Sequence, residues 1–174
     1  RGTAEHFGLE GRVAIQMGTL GKALGSFGAY VAGSGDLIDY LMNRSRSYIY
    51  STALPPVVCA ASIAAITLID QEPQRRERLW INRERFIAGL TSLGVDTGSS
   101  ETPIIPIIIG DSEKAIRAGS LLFEHGIFAT AIRPPSVAEN TARIRMTVMA
   151  THSDDDIDSV LHIIHAMNQA GLLR

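Results

Sequence analysis

Residues 18–28 read GTLGKALGSFG, with four glycines and a single lysine among them. Glycine at that density weakens helix and strand alike, because it costs the most backbone freedom to order and has no side chain to pack. Short apolar runs flank the stretch, VAIQMG at residues 13–18 and GAYVAG at residues 28–33. Both read as strands, so the glycine-rich stretch is a tight connection between them and Lys22 lies inside it. A lysine so placed could hold a phosphate, attack a carbonyl, or occupy a surface turn.

The rest of the chain divides around a charge-dense segment. Leu37, Ile38, Leu41 and Met42 recur at helical spacing over residues 36–43. SYIY at residues 47–50 reads as a strand from its β-branched and aromatic content. Pro55-Pro56 then starts an apolar, alanine-rich helix over residues 57–69, expected to be buried. QEPQRRERLWINRER at residues 71–85 is a charged helix face with Leu79, Phe86, Ile87 and Leu90 as its apolar stripe. Glu72, Glu77 and Glu84 dilute its arginines, so it reads as solvated surface rather than a nucleic-acid site.

Beyond it, IIPIII at residues 104–109 is a strand whose Pro106 points to an edge position. An amphipathic helix over residues 112–125 closes at Gly126, and a short strand follows at residues 128–132. RIRMTVM at residues 143–149 alternates as a half-buried strand should. Ser153 caps the last helix, Asp154, Asp155 and Asp156 face its positive end, and Ile157, Val160, Leu161 and Ile164 form its buried stripe. The expected organisation is a first domain at residues 1–72, a connecting charged helix at residues 73–96, and a small α+β domain at residues 97–174.

Composition narrows the function class. Hydrophobic residues at 45% and charged residues at 20% fit a globular chain. A net charge of -2 gives no field toward nucleic acid or an anionic membrane, and no apolar run is long enough to span a bilayer. Cys59 is the only cysteine, which excludes an intrachain disulfide and fits a reducing, cytoplasmic setting; no secretory or transit signal is visible. Of the sixteen basic residues only Lys22 and Lys114 are lysines, so lysine chemistry has two candidates.

Phosphate-loop patterns fail on individual residues. A nucleotide-binding G-x-x-x-x-G-K-[ST] ending at Lys22 would need glycine where Gln16 stands and a hydroxyl where Ala23 stands. A dinucleotide G-x-G-x-x-G from Gly33 would need glycine at Ile38. His6, His125, His152, His162 and His165 show no metal-ligand spacing, so no metal is expected. What remains is Thr19, with a hydroxyl for a phosphate oxygen, three residues before an amine able to form a Schiff base with an aldehyde. Pyridoxal phosphate presents both groups.

Four stretches in order carry a resemblance that extends this reading. They are TLGKALGSFG at residues 19–28, YSTALPP at residues 50–56, AIRPP at residues 131–135, and ARIR at residues 142–145 followed by ATH at residues 150–152. Together they resemble the α-oxoamine synthase family of fold-type-I pyridoxal-phosphate enzymes and reach nearly to both ends of the chain. The resemblance implies an α/β fold: the C-terminal part of the fold-type-I large domain followed by a small α+β C-terminal domain.

It also implies roles. Lys22 would carry the cofactor, be displaced by the amino acid, and then, as a neutral amine, remove the α-proton. Thr19 would bind the cofactor phosphate. Ser51 and Thr52, with Tyr50 nearby, would reach the cofactor of a neighbouring subunit in a homodimer, although the two hydroxyls could instead cap the helix after Pro55. Arg145, or Arg133 beside Pro134-Pro135, would hold the substrate carboxylate through a bidentate contact. Arg143 shares a face with Arg145, so alternation does not separate them. The implied substrates are an amino acid, L-alanine by analogy, and an acyl-CoA, pimeloyl-CoA if the resemblance is close. Glycine- or serine-using synthases, a fold-type-I aminotransferase, and a noncatalytic fragment or dimerisation module stay open.

The sequence departs from the family by omission. The family's aspartate for the pyridine nitrogen and its ring-stacking histidine precede the cofactor lysine in a D-E-A-H-type stretch. Only residues 1–17 precede the connection here, and His6 is not in that context. The chain is therefore expected to be the C-terminal part of such an enzyme and to be inactive by itself.

Overall fold

The computed structural model describes residues 2–173. Two compact units divide between Glu72 and Pro73. In the first, a four-residue helix α1 (Thr3–His6) precedes an antiparallel hairpin of β1 (Gln16–Thr19) and β2 (Ala29–Ala32), with Gly18 opposite Tyr30 and Thr19 opposite Ala29. A Cβ on residue 18 would lie 2.6 Å from the Tyr30 ring, so a side chain there would force that ring to shift. Helix α2 (Gly35–Arg44) starts at Ser34, whose hydroxyl oxygen accepts from the Leu37 N–H at 3.3 Å. Two further helices follow, α3 (Arg46–Ile49) and α4 (Pro56–Gln71).

Two sequence expectations are corrected in this unit. Residues 47–50 are not a strand: the Ile49 and Tyr50 N–H groups donate back to the Ser45 and Arg46 carbonyls and close a helical turn. Tyr48 and Tyr50 are exposed and have no pleated neighbour to pack against, which is what their strand propensity requires. Helix α4 forms where expected, but only Ser62 along it is buried. A helix that is apolar all round needs cover all round. The first unit covers one line of it and leaves Val57 and Ile63 about two-thirds exposed or more, at 73% and 66%.

The second unit is α+β. Helix α5 (Gln74–Ser92) leads to β3 (Ile104–Gly110), α6 (Ser112–Glu124), β4 (Thr130–Ile132), β5 (Ala142–Thr147) and α7 (Asp154–Gln169). The sheet order is β3-β5-β4, antiparallel throughout, which puts Pro106 on an edge strand where its missing N–H costs no ladder bond. Alternation sends Ile105 and Ile107 of β3 and Ile144 and Met146 of β5 to one face. There they join Phe86, Leu90, Leu122, Ile157 and Ile164 in a single core.

Three polar devices fix this unit. The Ser153 hydroxyl accepts from the Asp156 N–H while the Asp156 carboxylate accepts from the Ser153 N–H, a capping box at the start of α7. Arg85 donates through Nη2 to both carboxylate oxygens of Asp158, at 2.8 and 2.7 Å, and through Nε to Oδ1 at 3.3 Å, joining α5 to α7. Asn82, fully buried on α5, donates to the carbonyls of Met149 and His152 at 3.0 and 2.9 Å and so pins the turn that leaves β5.

Candidate active site

The glycine-rich connection is built by its own backbone. The Leu20 N–H donates to the Gly28 carbonyl at 2.8 Å, the Ser26 N–H to the Leu20 carbonyl at 2.9 Å, and the Gly25 N–H to the Lys22 carbonyl at 2.9 Å. Gly25 and Gly28 take φ values of 59° and 92°, a region open to glycine at little cost. Leu20 is buried and anchors the loop, while Thr19 and Lys22 on either side of it are exposed. Lys114, the other lysine, is instead a half-buried residue in the first turn of α6, its N–H bonded to Asp111.

The same unit brings residues 50–56 beside this connection. A Cβ on Gly28 would lie 3.1 Å from a Leu54 methyl. Tyr50, Ser51 and Thr52 are exposed. The Ser51 hydroxyl donates to the Ser47 carbonyl. Neither Ser51 nor Thr52 caps α4, whose first turn has no side-chain partner and begins at Pro55-Pro56. Of the two readings the sequence left for these hydroxyls, capping is therefore not realised. Among the described residues the Thr19 and Thr52 hydroxyls make no hydrogen bond. An exposed primary amine, the uncommitted Thr19 hydroxyl three residues before it and glycines that leave the backbone open form a donor set that suits a phosphorylated aldehyde.

Arg133 and Arg145 belong to the second unit. The sheet face away from the core carries Arg143 and Arg145 on the central strand, with Pro106 and Thr130 opposite Arg145 and Ile108 and Ile132 opposite Arg143. These two arginines line a shallow depression with Ser100, Thr102, Ile104 and Pro106. Its rim is fixed by Arg83, which donates to the Ser100 and Thr102 carbonyls at 2.5 and 3.1 Å. Arg143 donates through Nε to the Thr141 carbonyl at 2.9 Å. Among the described residues the Arg145 guanidinium has no hydrogen bond or ion pair, and the residue is exposed. Arg133 follows β4 directly; its carbonyl accepts from Ser136 across the Pro134-Pro135 turn, and its side chain is exposed.

Sequence reasoning overlooked Ser26, Ser62, Arg83 and Asn82. Each acts by a contact to a distant residue, and no spacing rule within the chain announces such a pair. Among the described residues no group of three His, Cys, Asp or Glu side chains could hold a metal ion, and no helix is long and apolar enough to cross a membrane.

Comparison with known proteins gives a consistent picture. The sequence pattern of the family described as Aminotransferase class I and II matches residues 2–164. The 8-amino-7-oxononanoate synthase of Methylococcus capsulatus is 51% identical over 165 residues, covering 94% of this chain and 43% of the relative. A protein of Geobacillus kaustophilus described as a putative 8-amino-7-oxononanoate synthase is 52% identical over 164 residues, covering 94% and 42%. A high-resolution structure of SPT with a PLP internal aldimine superposes with a TM-score of 0.93 at 29% identity, covering 99% of this chain and 44% of that one. The 8-amino-7-oxononanoate synthase of Francisella tularensis superposes at 0.78 with 28% identity, covering 90% and 46%. The chain thus spans less than half the length of the relatives it matches.

Proposed function

Since the chain belongs to the aminotransferase class I and II family, we propose that it forms part of a pyridoxal-phosphate-dependent acyltransferase that makes 8-amino-7-oxononanoate for biotin synthesis. The observation that carries this reading is the presentation of Lys22. It is one of two lysines, and it is exposed in a glycine-built connection three residues after the uncommitted hydroxyl of Thr19. The relatives named 8-amino-7-oxononanoate synthase, at about half identity, support the choice of product.

On this reading Thr19 donates its hydroxyl to the cofactor phosphate, and Lys22 Nζ is the point of covalent attachment. When bound, pyridoxal phosphate supplies the electron sink for a carbanion at the amino acid's α-carbon. Lys22, released as a free amine, takes the α-proton on Nζ and holds it. Arg145 binds the amino acid's carboxylate, and its lack of an internal partner supports that choice over Arg143; Arg133 is the alternative holder. In the net reaction the α-carbon of L-alanine bonds to the acyl carbon of pimeloyl-CoA, coenzyme A leaves as a thiol, and the carboxylate leaves as carbon dioxide.

The working unit on this reading is a cytoplasmic homodimer with shared sites. Tyr50, Ser51 and Thr52 serve the partner subunit's cofactor, for which Ser51 gives up its bond to the Ser47 carbonyl. Residues 1–72 are the C-terminal part of the cofactor-binding large domain, residues 73–96 lead out of it, and residues 97–174 are the small domain. A second reading takes serine in place of alanine. It is favoured by the structural likeness to SPT, which one of the similar structures names as serine palmitoyltransferase.

The test is an assay of coenzyme A thiol release by the intact gene product with pimeloyl-CoA and each amino acid. Alanine-dependent release supports the reading. Serine- or glycine-dependent release moves it to another synthase, and amine transfer without thiol release overturns it in favour of an aminotransferase.

A further inference from the structure

Four residues after Lys22, the connection is fastened to α4 by a chain of hydroxyls. Ser26 Oγ lies 2.8 Å from Ser62 Oγ and 3.3 Å from the Val58 carbonyl, and Ser62 Oγ lies 2.8 Å from that carbonyl. Each serine has one proton to give. The shortest set of bonds has Ser62 donating to Val58 and Ser26 donating to Ser62. Ser62 is also the one buried residue of α4. The helix therefore turns a hydroxyl, rather than one of its many apolar side chains, toward the loop. At the same residue the loop closes on itself, through the Ser26 N–H and the Leu20 carbonyl.

We infer that Ser26 is a positioning residue for Lys22, anchored on α4 by the Ser62 hydroxyl and, when that is lost, by the Val58 carbonyl; this rests on the assignment of Lys22 made above. The pair fixes one end of a connection whose other end is the buried Leu20, and Lys22 lies between the two fixed points. The connection's internal main-chain bonds close it, but glycine-rich backbone gains the most freedom when such bonds open, so a tether to α4 narrows the geometry of the reactive amine it carries. The hydroxyl chain also has a direction. Losing Ser62 lets Ser26 turn to the Val58 carbonyl, whereas losing Ser26 leaves Ser62 satisfied and the loop untethered.

The experiment uses the intact gene product and its Ser26→Ala and Ser62→Ala variants. Amide hydrogen exchange is measured without cofactor, and kinetics are measured with it. In Ser26→Ala the Leu20, Gly25 and Ser26 amides exchange about fivefold faster while α4 amides are unchanged, as expected for one lost hydrogen bond. Its kcat falls about fivefold with the amino-acid KM held, because Lys22 moves the proton and does not bind the carboxylate. Ser62→Ala changes each by less than about twofold. Unchanged loop exchange in Ser26→Ala, equal or larger effects in Ser62→Ala, or a rise in KM at constant kcat would overturn the inference. Peptide mapping of the borohydride-trapped lysine in the unaltered protein separates the two levels. A label on Lys114 removes the assignment of Lys22, and the cofactor-free exchange data still decide the tether.

Discussion

Arg143 and Arg145 stand two residues apart on the same face of β5, and only Arg143 is held by the protein itself, through its bond to the Thr141 carbonyl. That difference turns two equivalent positions into two distinct ones. A guanidinium already spent on a carbonyl cannot offer its full fork to a carboxylate, whereas an uncommitted one can. Arg145→Ala is expected to raise the amino-acid KM about ten- to a hundredfold, the range for losing a charge-assisted contact, with cofactor affinity unchanged. Arg143→Ala is expected to move KM far less. Steady-state kinetics with cofactor titration check this, and cofactor loss at constant KM in Arg145→Ala would contradict it.

Asn82 holds the turn after β5 by giving both amide protons to main-chain carbonyls, while its own Oδ1 is buried without a partner. Asn82→Leu removes the donors and leaves two acceptors facing an apolar side chain. It is expected to destabilise the second unit by about 1–3 kcal/mol. Denaturant unfolding of the intact gene product, followed by hydrogen exchange in α5, reads this directly. A variant as stable as the unaltered protein would show that the turn holds itself.

The capping box at α7 predicts a pH dependence. The Asp156 carboxylate accepts from the Ser153 N–H first and the Ser153 hydroxyl second, and these bonds hold its carboxyl below the usual aspartate range. A carboxyl with a lower pKa folded than unfolded contributes stability that is fully present above the unfolded value and is lost as pH falls through the folded one. The gap in α7 amide protection between the unaltered protein and Asp156→Asn should therefore be complete above about pH 5 and close as the pH falls below about 4. A gap that widens in acid would reverse the sign of this account. Ser153→Ala should lower α7 stability by about 1 kcal/mol at neutral pH.

Much of the second unit was readable in the sequence because its signals are local. Strict alternation exposed β5, the Ser153 hydroxyl followed by three aspartates exposed the start of α7, and Pro106 exposed an edge strand. The first unit was less readable. SYIY has the residue types of a strand but too few residues to show a period, and main-chain bonds back to Ser45 and Arg46 made it a turn of helix. Helix α4 was legible as a helix, but its cover was not, since apolar composition states a need for burial and not what meets it. The tether from Ser26 to Ser62 spans thirty-six positions and the clamp from Asn82 to Met149 spans sixty-seven. Neither residue type nor spacing marks such pairs. At the candidate site, chemistry singles out Lys22 and Thr19, resemblance alone favours Arg145 over Arg143, and the Thr141 contact adds a physical difference between the two arginines.

The central claim is that Lys22 carries the cofactor, and the most direct measurement is borohydride reduction of the intact gene product with pyridoxal phosphate, followed by peptide mapping. A stable pyridoxyl label is expected on the peptide containing Lys22, abolished in Lys22→Ala and unaffected in Lys114→Ala. A label on Lys114, or on neither lysine, would contradict it.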